Sequence, residues 1–180
     1  MVACTASEVI DFWRDAGPAQ WFAHSPDFDE RFRTRFLEAH FAAARRELDA
    51  WAGRAEGSLA LLILLDQFPR NAFRGTGHMF ATDPLARLFA RHALAAGHAQ
   101  AVEPDLRVFM LLPFMHSEQL EDQHLAVELH HSLGLASDVH ALRHREVVQR
   151  FGRFPHRNPM LGRETTPEEA DFLRDGGFAG

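Results

Sequence analysis

The run Leu59-Ala60-Leu61-Leu62-Ile63-Leu64-Leu65-Asp66-Gln67-Phe68-Pro69-Arg70-Asn71 decides how this chain is read. A continuous apolar stretch of this length suits either a buried strand or a fully enclosed helix. Leucine and alanine dominate it and only Ile63 is β-branched, which favours the helix. A helix apolar on all sides for two turns belongs at the centre of a domain. Ser58 is the expected cap, and Pro69, which lacks an N–H, is expected to end the helix. The polar loop that follows closes with Phe73-Arg74-Gly75 and has an echo later in the chain. There the sequence reads Gly152-Arg153-Phe154-Pro155-His156-Arg157-Asn158, followed by Leu161-Gly162-Arg163. Each copy leaves an apolar helical run, and each is followed by a threonine-led helix start, Thr82-Asp83-Pro84 and Thr165-Thr166-Pro167. The pattern reads as two copies of one unit: helix, polar loop, helix.

Outward from this core, the remaining segments also carry helical punctuation. Thr5 or Ser7 caps a first helix through about Ala16, which Gly17-Pro18 ends, and a short piece follows around Gln20 to Ala23. Ser25-Pro26-Asp27 starts the longest expected helix, whose Phe28, Phe32, Phe36, Leu37, Phe41, Ala44, Leu48 and Trp51 form one apolar face. Asp83 and Pro84 open a helix that Gly97 stops. Pro104 opens another, which Pro113 is expected to break or kink. Ser117 restarts the helix up to Gly134, Ser137 begins the next up to Gly152, and Thr166-Pro167-Glu168-Glu169 is a capping box that starts the last. No stretch alternates persuasively as a strand. The expectation is a single all-α domain, residues 1–180, of antiparallel helix pairs with seven to nine helices.

Composition bounds the function. The chain has 180 residues and a formal charge of -6, a poor match for a nucleic-acid polyanion, so any anion site must be local. All 19 basic residues are arginine, which removes Schiff-base lysines and a phosphate-loop lysine. The single cysteine, Cys4, permits no internal disulfide and no cysteine-based metal cluster. The N-terminal stretch carries Glu8, Asp11, Arg14 and Asp15 and does not resemble a signal peptide. The longest apolar run is too short for a bilayer, so a soluble cytoplasmic protein without membrane partners is expected.

Three polar constellations are candidates for function. In the first loop, Arg70, Asn71 and Arg74 offer donors suited to carboxylate or phosphate, although Asp66 could pair with Arg70 and Asn71 could satisfy the helix-end carbonyls. The second is Pro113-Phe114-Met115-His116-Ser117-Glu118, continuing to Glu121-Asp122-Gln123. With Ser117 as cap, Glu118 and Asp122 lie one turn apart on one face, where paired acids call for a cation, a metal or arginines between them. His116, Glu118 and Asp122 could supply a general base or hold a divalent ion, but this spacing is weak evidence for a metal and no metal ligand is assigned. The third constellation has Arg153, His156, Arg157, Asn158 and Arg163, the first loop's chemistry with a proton-moving histidine added. Its arginines could equally serve as counter-charges for Glu118, Glu121 and Asp122.

These motifs, together with the opening Val9-Ile10-Asp11-Phe12-Trp13, closely resemble the bacterial family catalogued as domain of unknown function 924. The match extends over nearly the whole chain. Met115 departs from it, standing where the family is expected to favour an acid. The resemblance implies an all-α fold similar to the tetratricopeptide-like right-handed superhelices, and it implies no activity. The leading expectation is a small anionic ligand held by Arg70, Asn71, Arg74, Arg153, Arg157 and Asn158 in an Arg/His/Asn-rich pocket. In that pocket His116, Glu118, Asp122 and His156 are the candidate catalytic residues. A hydrolase acting on a phosphorylated or carboxylated metabolite is the enzymatic alternative, and a helical protein-interaction module with a protein partner is the third. No motif indicates a cofactor.

Overall fold

A computed structural model describes residues 4–135 and 139–178, and the expected helix start at Ser137 falls outside them. The described residues contain helices and turns and no strand. In chain order the α-helices are α1 Ala6–Ala16, α2 Pro18–Trp21, α3 Pro26–Ala44, α4 Ala55–Leu62 and α5 Phe68–Ala72. They continue with α6 Asp83–Ala95, α7 His98–Ala101, α8 Val108–Met115, α9 Leu120–Ser132, α10 Val139–Phe151 and α11 Pro167–Arg174. Between α4 and α5, Ile63–Gln67 forms a π-helical turn, and Gly77–Phe80 and Pro155–Arg157 are 3-10 turns. No described helix is long and apolar enough to cross a membrane.

Local rules account for many of the boundaries. Thr5 and Thr166 each form a capping box, with Glu8 and Glu169 returning the bond to the cap N–H. Ser25 accepts from Phe28 N–H at the start of α3. Several expectations are corrected. α3 ends at Ala44 rather than continuing to Trp51, because Arg46 adopts a left-handed φ of 65°. Its N–H and that of Glu47 then close onto the Ala43 and Ala42 carbonyls, the bonding of a Schellman stop. Arginine at a position that usually holds glycine hid this end. Ser58 does not cap α4, which begins at Ala55; its hydroxyl is buried and donates to the Ala52 carbonyl. Ser117 is not a helix cap either. The cap position of α9 is Gln119, whose N–H donates to Ser117 Oγ. Pro113 lies inside α8, which runs two residues beyond it and forgoes one backbone bond.

Packing follows the expectation for the central run. Every residue from Leu59 to Leu65 is essentially inaccessible, and α4 packs against α1, α6, α7 and α8. The Phe and Trp stripe is core: Phe12 stacks on Phe28 and Phe32 at 5.5 and 5.3 Å, and Trp13 is fully buried beside them. Further along, α8 packs on α9 and α9 on α10. A second, smaller core of Val147, Val148 and Phe154, flanked by Phe151, Phe172 and Phe178, joins α10 and α11 to the second Phe-Pro segment. That small core forms one wall of the candidate site.

Candidate anion site

The site begins with the π-helical turn. Phe68 N–H bonds to the Ile63 carbonyl, five residues back, and Pro69 has no N–H to offer. Three successive carbonyls turn instead to side chains. His40 Nδ1–H donates to Leu64 O at 2.9 Å, Thr82 Oγ1–H to Leu65 O at 2.5 Å, and Arg70 Nη1–H to Asp66 O at 2.7 Å. This corrects two expectations. Pro69 does not end the helical run, which continues to Ala72, and Asn71 does not satisfy these carbonyls. Thr82 places its hydroxyl on Leu65 rather than capping α6. The wide turn carries Asp66 inward, leaving its side chain 1% exposed, and π turns of this kind recur at functional sites.

A compact charge network surrounds Asp66. Its Oδ1 accepts from His116 Nδ1–H at 2.8 Å and lies 3.2 Å from Arg70 Nη1, while Oδ2 accepts from Gln67 Nε2–H at 2.6 Å. Arg70 grips Asp83 with two bonds of 2.9 and 3.0 Å, so Asp83 contributes its charge to the site rather than a cap to α6. Burial works to raise the Asp66 carboxyl pKa, but the Arg70 charge and the bond from His116 outweigh it and hold it well below the carboxylate range. Burial and the Arg70 charge together hold His116 below its ordinary value against the pull of Asp66. It is therefore a neutral imidazole at pH 7, oriented by its bond to the carboxylate.

Arg157, from the second Phe-Pro segment, reaches the same place. Its guanidinium lies between two rings, 4.5 Å from the centroid of Phe80 and 4.4 Å from that of Phe154. The closest carboxylate oxygen is Asp83 Oδ2 at 3.6 Å, beyond hydrogen-bond distance. Among the described residues its side chain makes no hydrogen bond, and its Nε is buried without a partner. Burial first, and then Arg70, pushes its pKa down to about 10. Beside it the buried His156 Nδ1 also lacks a partner, and burial and the Arg157 charge push that ring down to about 4. His144, pushed down to about 3 by burial and by His116, packs between the His116, Phe154 and Phe178 rings. Gly77 seals the seam between the two Phe-Pro segments: a Cβ there would sit 2.9 Å from the Met160 carbonyl.

The structure disperses the remaining candidates. Asn71 and Arg74 both donate to Asp29 on α3, at 2.7 Å for Asn71 and at 2.6 and 3.2 Å for Arg74, and Asn71 lines a surface groove with His24 and Arg33. Arg153 holds Glu169 with bonds of 2.6 and 2.9 Å, and Asn158 donates to the same carboxylate at 3.1 Å. Glu118 takes two bonds from Arg163, at 2.7 and 2.9 Å, and one from Phe154 N–H. Burial works to raise its pKa, but the Arg163 and Phe154 bonds bring it below the ordinary carboxylate value. Asp122 is gripped by Arg87 at 2.9 Å and by Arg91, on α6, so it does not meet Glu118. Among the described residues no group of three His, Cys, Asp or Glu is arranged to hold a metal ion. Sequence reasoning missed Phe80, His144 and the charge role of Asp83. Only Asp83 carried a signal, its place in the repeated Thr-led helix start.

Comparison with known proteins agrees with this architecture. The model of a family described as a bacterial protein of unknown function (DUF924) matches residues 9–177, and the chain belongs to that family. The chain is also similar to a solved protein of unknown function from Agrobacterium tumefaciens, with 58% identity and a TM-score of 0.92 over 95% of this chain and 97% of that one. No curated protein matches.

Proposed function

We propose that this member of the family binds a small phosphate- or carboxylate-bearing molecule at Arg157. One observation carries the reading: a guanidinium enclosed between two aromatic faces, with no hydrogen-bonded partner among the described residues and an orphaned Nε. A buried charge left incompletely paired is costly, and an anion supplies the bonds that Asp83 at 3.6 Å does not. Arg70 supports the site electrostatically while remaining engaged with Asp83 and Asp66. His116 and His156 line it as neutral rings. Asn71, Arg74, Arg153 and Asn158 have structural parts in this proposal, through Asp29 and Glu169. A reducing cytoplasmic setting belongs to the same reading, supported by the single cysteine.

Titration calorimetry with inorganic phosphate and with citrate tests the proposal against the wild type and Arg157→Met. The expected outcome is one bound anion per chain, with affinity lowered about ten- to hundred-fold in the variant, the loss of a charge-assisted bond. Absence of binding by either anion, or equal affinity in Arg157→Met, sinks it.

The 2.8 Å bond between Asp66 and His116 supports a second reading, hydrolysis of a phosphorylated or carboxylated metabolite with His116 as general base. Hydrolysis of p-nitrophenyl phosphate and p-nitrophenyl acetate checks it, and identical rates in wild type and His116→Asn count against it.

A further inference from the structure

We infer that Asp66 and His116 form a proton-accepting pair built into the anion site, so that docking of an anion at Arg157 is coupled to uptake of one proton by His116 Nε2. The inference rests on the anion site proposed above and specifies how that site treats protons.

The geometry separates His116 from its two neighbouring histidines. Its Nδ1–H is fixed on Asp66 Oδ1 at 2.8 Å, which leaves the proton-free lone pair on Nε2. That nitrogen makes no hydrogen bond among the described residues, and it is not among the buried atoms left without a partner. The side chain retains 13% exposure, so Nε2 has access to solvent or ligand. His144 has its Nδ1–H on the His140 carbonyl and its ring against Phe154 and Phe178, with no carboxylate hydrogen-bonded to it among the described residues. His156 has a buried Nδ1 with no partner among the described residues. Of the three rings, His116 is the one hydrogen-bonded to a carboxylate among the described residues.

The charges facing His116 come from every wall. Asp66 and Arg70 lie on the π turn and α5, Asp83 opens α6, His144 lies on α10 and His156 on the second Phe-Pro segment, where Arg157 in turn faces His144 and His156. Glu118 acts on His156 rather than on His116 and is neutralised by Arg163. Arg70 and burial keep the ring neutral. Arg157 and the Asp66–His116 pair share Asp83 and Arg70, at 3.6 Å from Arg157 to Asp83, 2.9 Å from Asp83 to Arg70 and 3.2 Å from Arg70 to Asp66. An anion on Arg157 therefore adds negative charge to the network that holds His116, and in a partly buried setting that raises the affinity of the imidazole for a proton. The imidazolium then donates Nε2–H toward the anion while Nδ1–H stays on Asp66. By linkage, proton uptake makes anion affinity rise as pH falls, by up to about ten-fold per pH unit between the free and bound pKa of His116.

Sulfate is the suitable probe, since it does not titrate between pH 4 and 9. Protein labelled with ¹⁵N-histidine is titrated by NMR with and without saturating sodium sulfate, the ionic strength held constant with sodium chloride, and His116→Asn identifies the resonance. The expected result is an upward shift of the His116 midpoint by about one pH unit or more. In Asp66→Asn sulfate still binds, and the His116 midpoint lies lower both with and without it, because the carboxylate that favours the imidazolium is gone. Calorimetry of wild type in two buffers of different ionisation enthalpy should give the same proton uptake without relying on any variant. Sulfate binding with an unmoved His116 midpoint overturns the coupling and leaves anion binding standing. No perturbation of any site resonance by sulfate overturns both.

Discussion

At Arg157 the guanidinium gives up most of its water, and Nε all of it, for two aromatic faces and one distant carboxylate, while at Arg70 every contact is close. The two residues should therefore respond oppositely to the same substitution. Arg157→Met keeps an unbranched side chain between Phe80 and Phe154 and removes a buried charge that no hydrogen bond compensates. Replacing incompletely compensated buried charge by apolar volume is often neutral or stabilising, by about 1–4 kcal/mol. Urea denaturation should show Arg157→Met at least as stable as wild type while anion affinity falls. Arg70→Met instead strands Asp66 and Asp83 and should cost about 3–5 kcal/mol. A large stability loss in Arg157→Met would show that the residue is there for the fold rather than for a ligand.

The element that shapes the site is the π turn between α4 and α5, and it persists because side chains from elsewhere take the carbonyls it frees. His40 comes from α3, Thr82 from the residue before α6, and Arg70 from α5. Thr82→Val is nearly isosteric and removes only the donor to the Leu65 carbonyl. Leaving that buried acceptor unsatisfied should cost about 1–3 kcal/mol. It should also loosen Asp66, which thermal unfolding together with hydrogen exchange at Phe68 and Arg70 would report. Unchanged stability and exchange in Thr82→Val would mean that water or a backbone shift satisfies the carbonyl equally well.

Across the molecule the buried histidines set the response to acid. His40, His144 and His156 have folded-state values of about 4, 3 and 4, against an ordinary 6.5, with burial the leading cause in each. Their folded values lie below the unfolded one, so the unfolded chain binds more protons as pH falls. Stability is full above about pH 6.5 and declines below it, at up to about 1.4 kcal/mol per pH unit for each ring. Urea midpoints measured from pH 7.5 to 4.5 should fall steadily below 6.5, and His144→Gln should flatten the slope. A flat profile over that range would refute the neutral buried state of these rings.

Much of the fold was legible because its signals act over one turn of chain. The all-helical class followed from the leucine-rich run at Leu59, and the capping boxes at Thr5 and Thr166 lie within their own helices. Gly152, left-handed at φ 68°, ends α10 in the second Phe-Pro copy. In the first copy Asp66 occupies the equivalent place, and the helical run passes through it. The turn at Arg46 and the π turn were not legible, since the first lacks its usual glycine and the second depends on donors supplied from α3 and from Thr82.

The sequence by itself determined an all-α chain with two related Phe-Pro segments and a set of arginines, acids and histidines clustered near them. Only the tertiary structure decided which charge meets which. His116 finds Asp66 from 50 residues away, Arg163 finds Glu118 from 45, and Arg74 finds Asp29 from 45. With arginine as the sole basic side chain, nothing local distinguishes one cation from another. Caps and stops are enforced by covalent neighbours within reach of a side chain, whereas ion pairing is enforced by how helices pack. That packing brings Arg70 and Asp83 together and leaves Arg157 between Phe80 and Phe154, with no hydrogen-bonded partner among the described residues.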